Sequence, residues 1–167
     1  MVDCEESGIV RDAFIARGHD AWSCDLLTSA RPGPHLQCDL LSILDDGWDE
    51  GIFFPPCDYL TVSGNKWFKD GVKASAGVIV GQARRQARRQ ALDFVLKIYN
   101  SQIPKIAIEN PIGALSSLWR KPDQVVQPWM FGHGEVKATC FWLKGLPLLE
   151  RTHRQGDMFC APEPVDR

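Results

Sequence analysis

The chain has 167 residues, 44% hydrophobic and 24% charged, with a formal net charge of −2. That composition suits one globular domain and excludes a disordered chain. The near-neutral charge excludes nucleic-acid recognition by bulk charge and leaves only a local patch for it. No apolar run reaches the ~20 residues that span a bilayer, so no membrane partner is expected. The acidic opening Met1-Val2-Asp3-Cys4-Glu5-Glu6 is unlike a secretory signal, so a cytoplasmic location is expected. Six cysteines (Cys4, Cys24, Cys38, Cys57, Cys140 and Cys160) are scattered without a CxxC pair, which argues against a disulfide framework. His35 and Cys38, with Cys24 upstream, make an incomplete zinc set, and no metal is expected.

In chain order, residues 2–4 read as a first short strand and Glu5-Glu6-Ser7-Gly8 as a polar turn. Ser7 is placed to cap a helix over residues 9–17, in which Val10, Ala13, Phe14 and Arg17 share helical spacing, with Gly18 as its stop. A second strand over 21–24 ends at Asp25. Strand, turn, helix and strand ending in an acid make the opening of a nucleotide- or cofactor-binding α/β domain. Only Gly8 represents the glycine-rich loop of a dinucleotide fold, which weakens a nicotinamide reading. Residues 27–35 read as loop. A third strand over 36–38 is followed by Asp39 and one or two helical turns over 40–44.

The fourth strand, residues 51–54, stops at Pro55-Pro56, because proline cannot donate to a sheet ladder. Cys57 therefore stands on a turn just past the carboxyl end of a strand, the edge at which open α/β sheets gather ligands. A buried structural thiol is the bland alternative. Residues 58–71, carrying Trp67 and Phe68, form a long loop, either functional or a plain surface connection. Residues 74–99 form the longest helical candidate, with an apolar stripe of Ala83, Ala87, Ala91, Val95 and Ile98 flanked by Leu92 and Leu96. Inside it, a tetrad repeat sets Arg84, Arg85, Arg88 and Arg89 on one side. This reads as a solvated face, with a phosphate-contacting patch as the functional alternative.

A fifth strand over 105–108 ends at Glu109-Asn110-Pro111, the same geometry as at Cys57, so both side chains are expected at one edge of the sheet. A short helix is expected around 115–119, turns over 127–129 and 131–134, and an alternating strand over 137–143 in a final antiparallel hairpin. Residues 1–150 make the catalytic domain in this reading and 151–167 a polar tail.

A thiol and a carboxylic acid at neighbouring strand ends suit two reactions. One is hydrolysis through a cysteine nucleophile, which needs a base such as His133 or His35. The other is addition of Cys57 to an aromatic ring made electrophilic when Glu109 protonates it. At this point the order Cys4-Glu5-Glu6-Ser7-Gly8, Cys24-Asp25, Asp39, Pro56-Cys57 and Glu109-Asn110 resembles the DNA cytosine-C5 methyltransferases, in particular the small phage-type members. Residues 10–14, 17–27 and 144–147 carry further similar stretches, so the resemblance covers most of residues 2–148.

The resemblance implies an α/β, Rossmann-like methyltransferase fold: a mostly parallel sheet with a C-terminal antiparallel hairpin, binding S-adenosylmethionine. It implies that Cys57 adds to cytosine C6 while Glu109 holds N3 and the exocyclic amine, with the base flipped out of DNA. Glu5, Glu6, Ser7, Gly8, Asp25, Asp39 and Pro55 would line the cofactor, Asp25 on the ribose hydroxyls and Asp39 on the adenine amine. Pro56, Asn110 and the four arginines would face the DNA. Asp58 stands where the family has glutamine, and no Gln-x-Arg-x-Arg segment follows Glu109. The 56 residues after Pro111 are too few for the usual target-recognition domain, so that domain is expected to be absent. Specificity would then be slight or come from a second subunit, as in a homo-oligomer. Two alternatives stay open: a catalytically degenerate DNA-binding or anti-restriction protein of the same fold, and a methyltransferase for free nucleotides.

Overall fold

The structure, a computed structural model, describes residues 1–153. Most of the expected tail lies outside the described residues. Seven strands form one mixed sheet: β1 (Val2–Asp3), β2 (Ser23–Asp25), β3 (His35–Gln37), β4 (Glu50–Phe53), β5 (Lys105–Pro111), β6 (Gln124–Val126) and β7 (Thr139–Lys144). Their spatial order is β3-β2-β1-β4-β5-β7-β6. The first five are parallel, and β7 is antiparallel to both β5 and β6. The architecture is α/β and compatible with a Rossmann-like fold. From β1 the chain winds outward to β2 and β3, and from β4 it winds the other way to β5. The loops leaving β1 and β4 therefore diverge, and the crevice between them is where such sheets bind ligands.

Helix α1 (Ile9–Ile15) ends earlier than the sequence predicts. Its one fully buried residue is Arg11 rather than an apolar stripe, and Ala13 is exposed. The Arg11 guanidinium lies inside the 27–35 loop and donates to Asp12 Oδ1, Ser23 Oγ, Ser29 Oγ and the Pro32 carbonyl. Gly8 precedes this helix at φ 70°, and a Cβ there would sit 2.6 Å from Arg11 Nη2. Only glycine satisfies both the dihedral and the space.

Helix α2 (Gly81–Tyr99) starts seven residues later than predicted. Gly77 and Gly81 both take positive φ, at 83° and 56°, and the stretch before Gly81 is turn rather than helix. Its second half packs as expected. Val95 and Ile98 are fully buried against Phe53, Ile106, Ile108 and Trp142 in the main core. Its first half does not: Ala83 is exposed and Arg84 is buried. The solvated arginine face is corrected on the same ground, since the 58–70 loop lies along this half of the helix and gives the guanidiniums acceptors.

A short helix α3 (Leu115–Leu118) follows β5. The final antiparallel pair is present, but β7 begins at Thr139 and lies between β5 and β6. Trp142 is the largest fully buried side chain; its indole N–H donates to the Arg120 carbonyl at 2.9 Å and its ring stacks on Trp119.

Candidate active site

The turn after β4 is fixed at both ends. Phe54 N–H donates to Asp3 O at 3.1 Å, one last bond before the prolines end the ladder. The buried Asn110 donates from Nδ2 to Pro55 O at 3.0 Å. The amides of Leu60 and Thr61 both donate to Cys57 O, at 2.8 and 3.0 Å. Cys57 is left partly exposed at the apex. Burial pushes its thiol above the ordinary range, the charge of Asp58 pushes it further, and Glu109 adds to this, while Lys137 acts the other way.

Strand β5 outlasts β4. The last pair between them is Phe53 with Ile108, so Glu109 is the first residue beyond the end of β4. On its other side it pairs with Phe141 of β7. Burial raises the Glu109 carboxyl above the usual carboxylate range, opposed by the charge of Lys137 and by the nearby Thr139 hydroxyl. Burial of this kind favours the neutral acid, the form that donates a proton. Cys57, Glu109, Lys137 and Thr139 thus form one group at the carboxyl edge of the sheet.

Lys137 and Thr139 were not read as site residues from the sequence. The signal was present: an antiparallel strand beside β5 must begin where β5 ends, so the first residues of the alternating 137–143 segment fall next to Glu109.

A cavity of about 450 Å³ opens beside this group, at the carboxyl ends of β1, β2 and β3. Asp3 and Cys4 form its floor, and Asp25, Leu26 and Cys38 to Leu41 one side. Pro56 and Tyr59 come from the β4 turn, and Ala87, Gln90, Ala91 and Phe94 from α2. The volume lies within the range of small-molecule sites, and apolar walls with a few polar groups are their usual lining. Asp25 and Asp39 each use Oδ1 to accept a local amide, from Leu27 and Leu41, both at 2.9 Å.

Asp3 is 1% exposed and accepts a hydrogen bond from the Cys4 thiol at 3.0 Å. Burial raises its carboxyl too. Cys4, just after β1, has φ 54°, the single positive φ of a non-glycine among the described residues. Such a left-handed residue costs about 1–2 kcal/mol, and backbone strain of this kind clusters at functional sites.

The first loop does not line this cavity. Glu5 is buried and accepts from Ser7 Oγ at 2.7 Å and Val10 N at 2.9 Å, so it caps α1. Ser7 Oγ also accepts from Ile9 N, Glu6 is exposed, and Gly8 packs on Arg11. The proline that reaches the cavity is Pro56, whereas Pro55 is buried behind it.

Three of the four arginines are engaged within the chain. Arg84 donates to Asp58 O and Ile79 O, Arg85 to Phe68 O and Asp70, and Arg88 to Tyr59 O and Asn65 Oδ1. Arg89 is exposed. A second cavity, about 510 Å³, lies at the opposite edge of the sheet, beside Met1, Glu50 and Lys105, away from Cys57. Among the described residues, no group of three or more His, Cys, Asp or Glu side chains is placed to hold a metal ion, and no helix is long and apolar enough to cross a membrane. The chain matches no family model, no curated protein and no solved structure.

Proposed function

We propose that this protein transfers a methyl group from S-adenosylmethionine to C5 of cytosine in DNA through a covalent adduct at Cys57. The observation that carries the reading is a juxtaposition: Cys57 and Glu109 stand on neighbouring strand ends, and the turn bearing Cys57 also supplies Pro56 and Tyr59 to the adjacent cavity. A ligand in that cavity and a base held between thiol and acid would be in contact. A parallel sheet closed by an antiparallel C-terminal pair is also the architecture that the resemblance implies.

The cavity suits the cofactor by donor set. Asp25 and Asp39 flank apolar walls that fit an adenine ring, and a carboxylate at the end of β2 fits ribose hydroxyls. The bound cofactor would supply an electrophilic methyl on a sulfonium. The chain's residues do the rest. The Cys57 thiolate attacks C6 of the ring. Glu109, whose burial favours the neutral acid, gives its proton to N3, and the electron pair moves to C5, which becomes the nucleophile. After methyl transfer, loss of the C5 proton to a base expels the Cys57 thiolate, and N3 returns its proton to Glu109. Asn110 holds Pro55 O and so keeps the thiol over the ring.

One observation favours a second reading, a catalytically degenerate DNA-binding protein. Burial and Asp58 both hold the Cys57 thiol protonated, which slows attack. That reading needs the arginines on phosphates, yet Arg84, Arg85 and Arg88 are bonded to the chain's own loop.

The test is incubation with labelled S-adenosylmethionine and DNA, RNA or free dCMP, followed by digestion and identification of the methylated nucleoside. 5-Methylcytosine from DNA alone is the expected result. Label in RNA or dCMP alone would move the substrate class, and no label with intact DNA binding would favour the degenerate reading.

A further inference from the structure

The tetrad repeat in α2 faces the loop that follows β4. Its two inward arginines grip the backbone directly after Cys57. Arg84 donates from Nη2 to Asp58 O at 3.1 Å, and Arg88 from Nε to Tyr59 O at 2.7 Å. The spacing of four puts both on one face of the helix. Arg84 is 8% exposed, its Nε has no partner, and neither guanidinium has a carboxylate within ion-pair distance among the described residues. A buried cation without a counter-ion, as at Arg84, is costly, so packing alone gives no reason to keep it.

The loop accommodates them. Arg88 lies 3.6 Å over the Phe68 ring, Arg84 lies 5.1 Å from both Tyr59 and Phe68, and a Cβ at Gly64 would collide with Arg84 Nη2. On the same helix, Ala87, Gln90, Ala91 and Phe94 wall the cavity. One rigid element therefore contacts the cavity and, through two guanidiniums, the carbonyls beside the thiol.

We propose that Arg84 and Arg88 are positioning residues, which set the Cys57 turn at a fixed distance from the ligand in the cavity by holding the carbonyls of Asp58 and Tyr59. The proposal rests on the methyltransferase reading of Cys57, and it assigns these arginines to the protein's own backbone rather than to DNA phosphates. Releasing the turn lets water reach the thiol, which removes the burial that raises it. It also loosens the geometry that methyl transfer requires, where small misplacements are costly.

The test uses Arg84→Met, Arg88→Met and Arg88→Lys in the full chain, with Cys57→Ser as background for the other thiols. Two readouts are taken: the pH dependence of Cys57 alkylation by iodoacetamide, and kcat and KM for DNA methylation. In both Met variants the alkylation midpoint should fall, speeding labelling at neutral pH by about tenfold, since one pH unit in the midpoint is a tenfold change in thiolate. The kcat should drop by at least about tenfold, with KM for S-adenosylmethionine unchanged. Arg88→Lys keeps the charge but removes the Nε–H that donates to Tyr59 O, so it should behave as Arg88→Met.

An unchanged alkylation profile and kcat, with only a lower melting temperature, would overturn the proposal, as would full rescue by Arg88→Lys. If Arg84→Met does not fold, the more exposed Arg88 carries the test. If the native protein methylates nothing, the methyltransferase reading falls, and the alkylation arm still decides whether the arginines hold the turn.

Discussion

Arg11 offers the sharpest test of how the cavity is built. Arg11→Met keeps most of the aliphatic stem and removes a guanidinium that is 0% exposed. The cost follows from what each acceptor has left. Asp12 is 36% exposed and stays 3.7 Å from Arg31, so its carboxylate rehydrates at little expense. Ser29 Oγ still donates to Arg31 O. The bonds lost outright are those to Pro32 O at 3.0 Å and, inside the protein, to Ser23 Oγ at 3.0 Å, although Ser23 Oγ keeps His35 Nδ1 at 2.9 Å. Hydrogen bonds to charged groups are worth about 1.5–3 kcal/mol each, so the expected loss is about 3–6 kcal/mol. That is a large fraction of the roughly 5–15 kcal/mol of a typical domain.

At about 3 °C per kcal/mol for a chain of this size, Tm should fall by about 10–20 °C. Urea unfolding followed by tryptophan fluorescence gives the free energy, and an unchanged m-value would show that stability, not the surface exposed on unfolding, has changed. The pinned loop joins Asp25 to β3 and Asp39, so affinity for S-adenosylhomocysteine should fall with it. A loss below about 1 kcal/mol would refute the view that this guanidinium organises the loop.

Glu109→Gln should be as stable as the native protein at pH 4 and more stable at pH 8. The folded-state carboxyl is raised, so its contribution is fully present below the ordinary carboxylate range and is lost as pH rises through the raised value. The gain is at most about 1 kcal/mol, because the group is only half-buried, and denaturation at the two pH values measures it. The same variant should lose about 10²–10⁴ in kcat, the usual weight of a general acid. Asp58→Asn removes a charge that raises the Cys57 thiol, so the alkylation midpoint of Cys57 should move down; an unmoved midpoint would exclude that charge as a cause. Asp39→Ala should weaken S-adenosylhomocysteine binding about tenfold or more in a titration. It should also cost about 1 kcal/mol of stability, because Asp39 caps the turn at Leu40–Ser42 through the Leu41 amide.

The carboxyl edge of the sheet was readable because its signals are local. An apolar run stopped by Pro55-Pro56 fixes where β4 ends, and Glu109-Asn110-Pro111 marks the corresponding place on β5, although the strand itself carries on to Pro111. The acids after β2 and β3 are read in the same way. What stayed hidden depends on partners distant in sequence. The repeat in α2 shows that Arg84 and Arg88 share a face, but not that the aperiodic 58–70 loop covers it. The helical spacing of Val10, Ala13, Phe14 and Arg17 gives no sign that Arg11 is buried, because its acceptors are loop carbonyls and hydroxyls with no pattern of their own. Strand β6 has three residues, too few for an alternation to register, and it exists through pairing with β7. Glu5 and Ser7 were assigned toward the ligand because the turn was read as a binding loop. Glu5 Oε1 and Ser7 Oγ instead accept from the Val10 and Ile9 amides at the start of α1.

The central claim is a covalent bond between Cys57 and cytosine C6 during methyl transfer, and DNA containing 5-fluorocytosine tests it most directly. Fluorine at C5 cannot leave as a proton does, so after methyl transfer the thiolate cannot be expelled and the adduct persists. A denaturation-resistant protein–DNA complex that needs S-adenosylmethionine, maps to Cys57 by peptide mass and is absent in Cys57→Ala is the predicted result. Methylation of ordinary DNA by the native protein without any such complex, or equal trapping by Cys57→Ala, would contradict it.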